Sequence, residues 1–159
     1  MKRLVFLVAM VILLTTPCIA AELPSIGEPP PALTLPNLSG KVVELSNFSG
    51  RPTILTFFTS WSDTCKRELS DLNVLYRGFS PTLEVVAISL DRKSKTLQEF
   101  LANNDYSFKF LIDKKLSSLN KYAILIIPTT FLINREGQIE KILVDYDDNV
   151  KTAIADWLK

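Results

Sequence analysis

The chain has 159 residues, 47% of them hydrophobic, and a formal net charge of +1. That length and apolar content fit one domain with a sizeable core, and the near-neutral charge, without a basic block, gives no footing for a nucleic-acid partner. Histidine is absent, which excludes Ser-His-Asp catalysis, Cys-His activation and the commonest metal ligand.

Residues 1–20 read as an export signal. Lys2 and Arg3 precede an unbroken apolar run, Leu4 to Leu14, and small residues surround a cut after Ala20. The run is short for a bilayer span, so contact with a membrane is expected only if the segment stays uncleaved. Cleavage removes Cys18 and leaves Cys65 as the sole cysteine, in a compartment that favours disulfides. One cysteine cannot build a thiolate metal site alone, and no cofactor is expected.

The next stretch, residues 21–35, is a proline-rich extended lead-in, and the domain proper is placed at 36–159. ALTLPNLSGKVVEL predicts two short strands around a turn at Asn37 to Gly40. TILTFFT, Thr53 to Thr59, is a buried strand by its β-branched and aromatic content. Cys65, Leu69, Leu72, Tyr76 and Phe79 recur at helical spacing, and Gly78 and Pro81 mark the end of that helix. LEVVAISL is a second buried strand. Thr96 to Asn103 predicts a helix, with Thr96 and Glu99 as a capping box, after a solvated loop from Arg92 to Lys95. A short strand (Lys109 to Asp113) and a short helix (Leu116 to Tyr122) follow. TFLIN and Gln138 to Val144 form a hairpin, and Val150, Ile154, Trp157 and Leu158 place a closing amphipathic helix. Asp145, Asp147 and Asp148 lack the glycine and terminal glutamate of an EF-hand loop and read as a polar helix start. The alternation of strands and helices predicts an α/β fold, a mixed central sheet with helices on both faces and an N-terminal β-hairpin extension.

The stretch T-F-F-T-S-W-S-D-T-C-K-R-E-L, the opening LPNLSGKVVELSNFSGRPTILTFFTSW and the segment Ile127-Pro128-Thr129-Thr130-Phe131-Leu132-Ile133-Asn134 resemble the thioredoxin-like thiol–disulfide oxidoreductases of the bacterial periplasm, the TlpA/ResA type. The resemblance covers nearly everything after the leader and implies a thioredoxin fold, a periplasmic or exported location, and as partner a periplasmic thiol- or disulfide-bearing protein or glutathione. It also implies roles for matching positions. Ser62 occupies the site of the attacking cysteine, Cys65 that of the resolving cysteine, and Glu68 an acidic position that tunes the thiols. Pro128 would be a cis-proline shaping a substrate groove, with Trp61 and Ile127 beside it. Phe58 and Thr59 replace the usual Trp-Ala, and Ala123 stands where glycine is common.

Serine at position 62 changes the chemistry. Exchange begins with a thiolate, and a serine hydroxyl stays protonated near neutral pH without a base to activate it. Ser62 reads instead as an N-cap, worth about 0.5–2 kcal/mol over alanine. Cys65 shares a helical stripe with Leu69 and Leu72, which turns its side chain toward the core. Asp63 and Glu68, the latter at i+3 on the helix surface, raise its pKa, while the helix N-terminus and Lys66 or Arg67 lower it. Trp61 is expected to pack beside the motif. A lone thiol cannot close an intramolecular disulfide. Three readings stay open: a monothiol redoxin acting through Cys65, a peroxiredoxin-like peroxidase on Ser62-x-x-Cys65-x-x-Glu68, and a redox-silent module that holds an extended peptide beside Pro128.

Overall fold

The computed structural model describes residues 23–159; the export signal read in residues 1–20 lies outside them. In chain order the elements are β1 (Thr34–Pro36), β2 (Val42–Glu44), a 3-10 turn (Leu45–Phe48), β3 (Thr53–Phe58), α1 (Asp63–Phe79), β4 (Glu84–Ser89), α2 (Ser94–Ala102), β5 (Lys109–Ile112), α3 (Ser117–Lys121), β6 (Thr129–Ile133), β7 (Ile139–Val144) and α4 (Asp148–Trp157). β1 and β2 pair as an antiparallel hairpin, and the other strands form one sheet in the order β5-β4-β3-β6-β7. β3, β4 and β5 are parallel, and β6 and β7 run antiparallel to their neighbours. This is the mixed sheet that the alternation of elements predicts.

Period-two alternation splits the core into two layers. On β3, Leu55 and Phe57 face one layer while Ile54 and Phe58 face the other; on β4, Val86 and Ile88 oppose Val85 and Ala87. The first layer is closed by Leu33 and Leu35 of the hairpin region, Phe48 of the 3-10 turn and Tyr122 after α3. Cys65, Leu69 and Leu72 of α1, Leu97 of α2 and Ile154 of α4 close the second. The central strands are buried at every position of β3, β4 and β6, which explains why their sequences read as continuous apolar runs.

The lead-in is docked rather than free-running. Gly27 N–H donates to the Ile139 carbonyl at 2.8 Å and Ile139 N–H to the Glu28 carbonyl at 2.9 Å, while the Tyr122 hydroxyl donates to the Pro31 carbonyl at 2.5 Å. These bonds tie the proline-rich stretch to the start of β7 and to the end of α3.

The capping box at Thr96 and Glu99 does not form. α2 starts at Ser94 after an N-cap Lys93 that makes no side-chain cap bond, so Thr96 already lies inside the first turn. Glu99 instead approaches Lys95 at 3.7 Å. Lys95 therefore belongs to the helix rather than to a loop, although it is exposed as expected. At α4 the polar start is realised: Asp147 is the N-cap and accepts from the Val150 N–H at 2.9 Å.

Candidate active site

The site is assembled where β3 ends and α1 begins. Ser62 is the N-cap of α1, with extended backbone, and its hydroxyl oxygen accepts from the Cys65 N–H at 3.3 Å. That bond satisfies one of the donors that every helix start leaves free. Upstream, Ser60 N–H and Ser60 hydroxyl donate to the two carboxylate oxygens of Asp91 at 3.0 and 3.1 Å. Ser89 hydroxyl donates to Asp91 Oδ2 at 2.8 Å. Asp91 thus clamps the β3–α1 loop to the end of β4, and it is itself only 5% exposed.

Cys65 is a free cysteine with no exposed surface, embedded in the core layer with Phe58 and Leu69. Burial pushes its thiol pKa up, opposed by contacts from the Ser62 side chain and the Thr59 backbone, and the nearby Glu68 and Asp91 push it further up. The cation that could have lowered it is occupied elsewhere: Lys66 pairs with Asp63 at 2.8 Å on the surface. Arg67 is exposed. The thiol is therefore shielded and protonated near neutral pH, without the electropositive surroundings of a reactive cysteine.

Glu68 is not on the helix surface. It has no exposed area, and its side chain points into the sheet. Thr56 hydroxyl donates to Glu68 Oε2 at 2.8 Å, and Thr130 Oγ1 lies 2.5 Å from Glu68 Oε1 and 2.9 Å from Thr56 Oγ1. Thr56 and Thr130 face each other in the β3–β6 register. When Glu68 is protonated, three O–H groups close a ring: Glu68 to Thr130, Thr130 to Thr56, Thr56 back to Glu68. Ionised Glu68 breaks that ring, because the single Thr130 proton must choose between two acceptors. Burial raises the Glu68 pKa to about 7, against the opposing hydrogen bonds from Thr130 and Thr56. From the sequence Glu68 is expected on the helix surface, but a position three residues after Cys65 lies only about 60° around the helix from it, which carries Glu68 inward with the thiol.

The Ile127–Pro128 peptide bond is cis. Pro128 is buried, its carbonyl accepts from the Asp145 N–H at 2.8 Å, and Ile127 packs against both core layers. β6 follows directly, and its Thr130 ties the proline segment to Glu68 of α1. Trp61 does not pack beside the motif: it is 68% exposed. The loop before Ile127 is also apolar and open, with Leu125 94% and Ile126 52% exposed.

Several contributors escape a reading of the sequence. Asp91 is 31 positions from Ser60, and only the parallel pairing of β3 with β4 makes them neighbours. The Thr56–Thr130 pair depends in the same way on strand register. Thr59, whose backbone contacts the thiol, also carries a buried hydroxyl without a hydrogen-bond partner; the one available signal is its departure from the family's alanine. Among the described residues no group of three or more His, Cys, Asp or Glu side chains could hold a metal ion, and no helix is long and apolar enough to cross a membrane.

The chain matches the family model AhpC/TSA over residues 26–142. It is 31% identical over 118 residues to the thiol-disulfide oxidoreductase ResA of Bacillus subtilis, covering 74% of this chain and 66% of that protein. It is also 31% identical to the sporulation thiol-disulfide oxidoreductase A of the same organism, covering 70% of each. Against the ResA proteins of Bacillus thuringiensis and Bacillus cereus the match spans 66% of the relative, just under two thirds. The fold superimposes on the crystal structure of StoA from Bacillus subtilis with a TM-score of 0.68 and 28% identity, over 82% of this chain and 98% of that one. A DsbE candidate from Chlorobium tepidum aligns with a TM-score of 0.80 and 29% identity, over 85% and 96% of the two chains.

Proposed function

This chain belongs to the AhpC/TSA family, beside the ResA and StoA thiol–disulfide oxidoreductases, and from that premise we propose that it is an exported redoxin with one working thiol and no dithiol turnover. The observation that carries this reading is the pair Ser62 and Cys65. A hydroxyl fills the half-buried helix start, and the only cysteine of the described chain lies fully buried one turn deeper.

The chemistry open to such a site is limited to one exchange. The Cys65 thiolate attacks a disulfide of the partner, forming a Cys65–partner disulfide and expelling the partner's other sulfur as thiolate. No second thiol in the domain resolves the adduct, so release needs a thiol from glutathione or another protein. Because the thiol is shielded and its pKa raised, attack requires a transient opening of the β3–α1 loop. The candidate partners are exported proteins bearing a thiol or disulfide. The exposed Trp61, Leu125 and Ile126, with the cis bond at Pro128, support their approach on this side of the molecule.

The peroxidase alternative finds little support. A peroxide-reactive cysteine needs thiolate character and exposure, whereas burial, Glu68 and Asp91 all raise the thiol pKa here. One observation favours the redox-silent alternative: Cys65 has no exposed surface at all. Incubation of the native protein with oxidised glutathione separates the two. Slow appearance of a single adduct at Cys65, detected by intact mass, supports the monothiol reading. An unmodified mass after prolonged incubation, with full modification in denaturant, supports a redox-silent peptide-holding module.

A further inference from the structure

A cleft lies between the β1–β2 hairpin, α2 and the β5–α3 loop, and we propose that it binds a long-chain carboxylate. Its volume is about 740 Å3, inside the range of roughly 300–1,000 Å3 typical of small-molecule sites. It shares no residue with the Cys65 site.

The cleft has two chemically distinct parts. Its floor is aliphatic: Leu35 and Leu97 are buried, Leu101 and Ile112 are half-buried, and Leu38 stands 50% exposed at the mouth. Its rim carries Lys114 and Lys115, both exposed, and neither forms an ion pair among the described residues. Asp113 is the one acidic residue lining the cleft, and it is already committed. Asp113 Oδ1 accepts from the N–H and hydroxyl of Ser117, both at 3.0 Å. Asp113 Oδ2 accepts from the N–H and hydroxyl of Ser118, at 2.7 and 2.6 Å. The two ammonium groups are thus left without a local counter-charge.

Charge selects an anion and the floor selects a hydrocarbon. An inorganic anion would leave Leu38 and the open faces of Leu101 and Ile112 in water. A peptide would carry backbone N–H and C=O groups over an aliphatic floor, where unpaired polar groups are costly. The Asn37 side-chain oxygen is already taken by Ser39 and Lys41. An alkyl chain ending in a carboxylate satisfies both parts: the tail lies on Leu101, Ile112 and Leu38, and the head meets Lys114 and Lys115.

The test is calorimetric titration of the full chain with dodecanoate, beside dodecan-1-ol and acetate. The expected result is one saturable site for dodecanoate, about tenfold weaker binding of the alcohol, and none of acetate. The double variant Lys114→Glu/Lys115→Glu, whose side chains are exposed and whose fold a thermal melt verifies, should bind dodecanoate at least tenfold more weakly. Leu101→Trp, which fills the floor, should abolish binding. Absence of saturable dodecanoate binding overturns the proposal. So does binding of equal strength in Lys114→Glu/Lys115→Glu, as would occur if the apolar residues 4–14 held the tail.

Discussion

The Ser62 hydroxyl accepts the backbone N–H of Cys65 at 3.3 Å. Ser62 thereby performs a structural task, capping the helix that carries the thiol; under the proposed reading it also stands where the attacking cysteine would be. Replacing it with alanine leaves that N–H without its partner at a partly buried helix start. Ser62→Ala is expected to lower stability by about 0.5–2 kcal/mol, read from urea unfolding at constant m-value.

Ser62→Cys should create a two-thiol Cys-x-x-Cys motif. The new thiol would sit at the N-cap of a 17-residue helix, where the free N–H groups and the dipole favour a thiolate. The variant is expected to gain dithiothreitol-driven insulin reduction and to form an intramolecular disulfide with Cys65, detected as a loss of two mass units under oxidation. The parent chain should show neither.

Glu68 makes stability depend on pH in an unusual direction. Its pKa rises from 4.5 unfolded to about 7 folded, so between those values the folded state holds a proton that the unfolded state has lost. Stability is therefore fully present below about pH 4.5 and declines as pH rises through about 7, by at most about 3 kcal/mol. Glu68→Gln keeps the ring, since its amide donates to Thr130 and its oxygen accepts from Thr56. The variant should unfold with a flat profile across this window and be more stable than the parent at pH 8.

Ala123 adopts φ 51°, the left-handed region that costs a residue with a Cβ about 1–2 kcal/mol. Glycine removes that penalty and adds unfolded-state entropy, so the two effects oppose. Ala123→Gly is expected to raise the thermal midpoint slightly, equivalent to about 0.5–1 kcal/mol.

The fold was legible because its signals are local. The stripe Cys65, Leu69, Leu72 placed one face of α1 in the core, and all three are buried. The resemblance around Pro128 led to a cis bond that is present. What escaped depends on contacts distant in sequence. Glu68 looked solvated because it is charged, and only the Thr56–Thr130 register supplies the hydroxyls that let it be buried. Trp61 is expected to pack beside the motif, yet it is 68% exposed although the preceding Ser60 is held by Asp91. The Thr96–Glu99 box failed because the helix had already begun at Ser94, a boundary that spacing alone does not fix.

The most direct measurement is the rate at which the native protein's Cys65 reacts with iodoacetamide as a function of pH. A shielded, protonated thiol predicts labelling at least a hundredfold slower than in the unfolded chain at pH 7.5, with a rate still climbing above pH 9. Rapid labelling that levels off near or below pH 7 would contradict it.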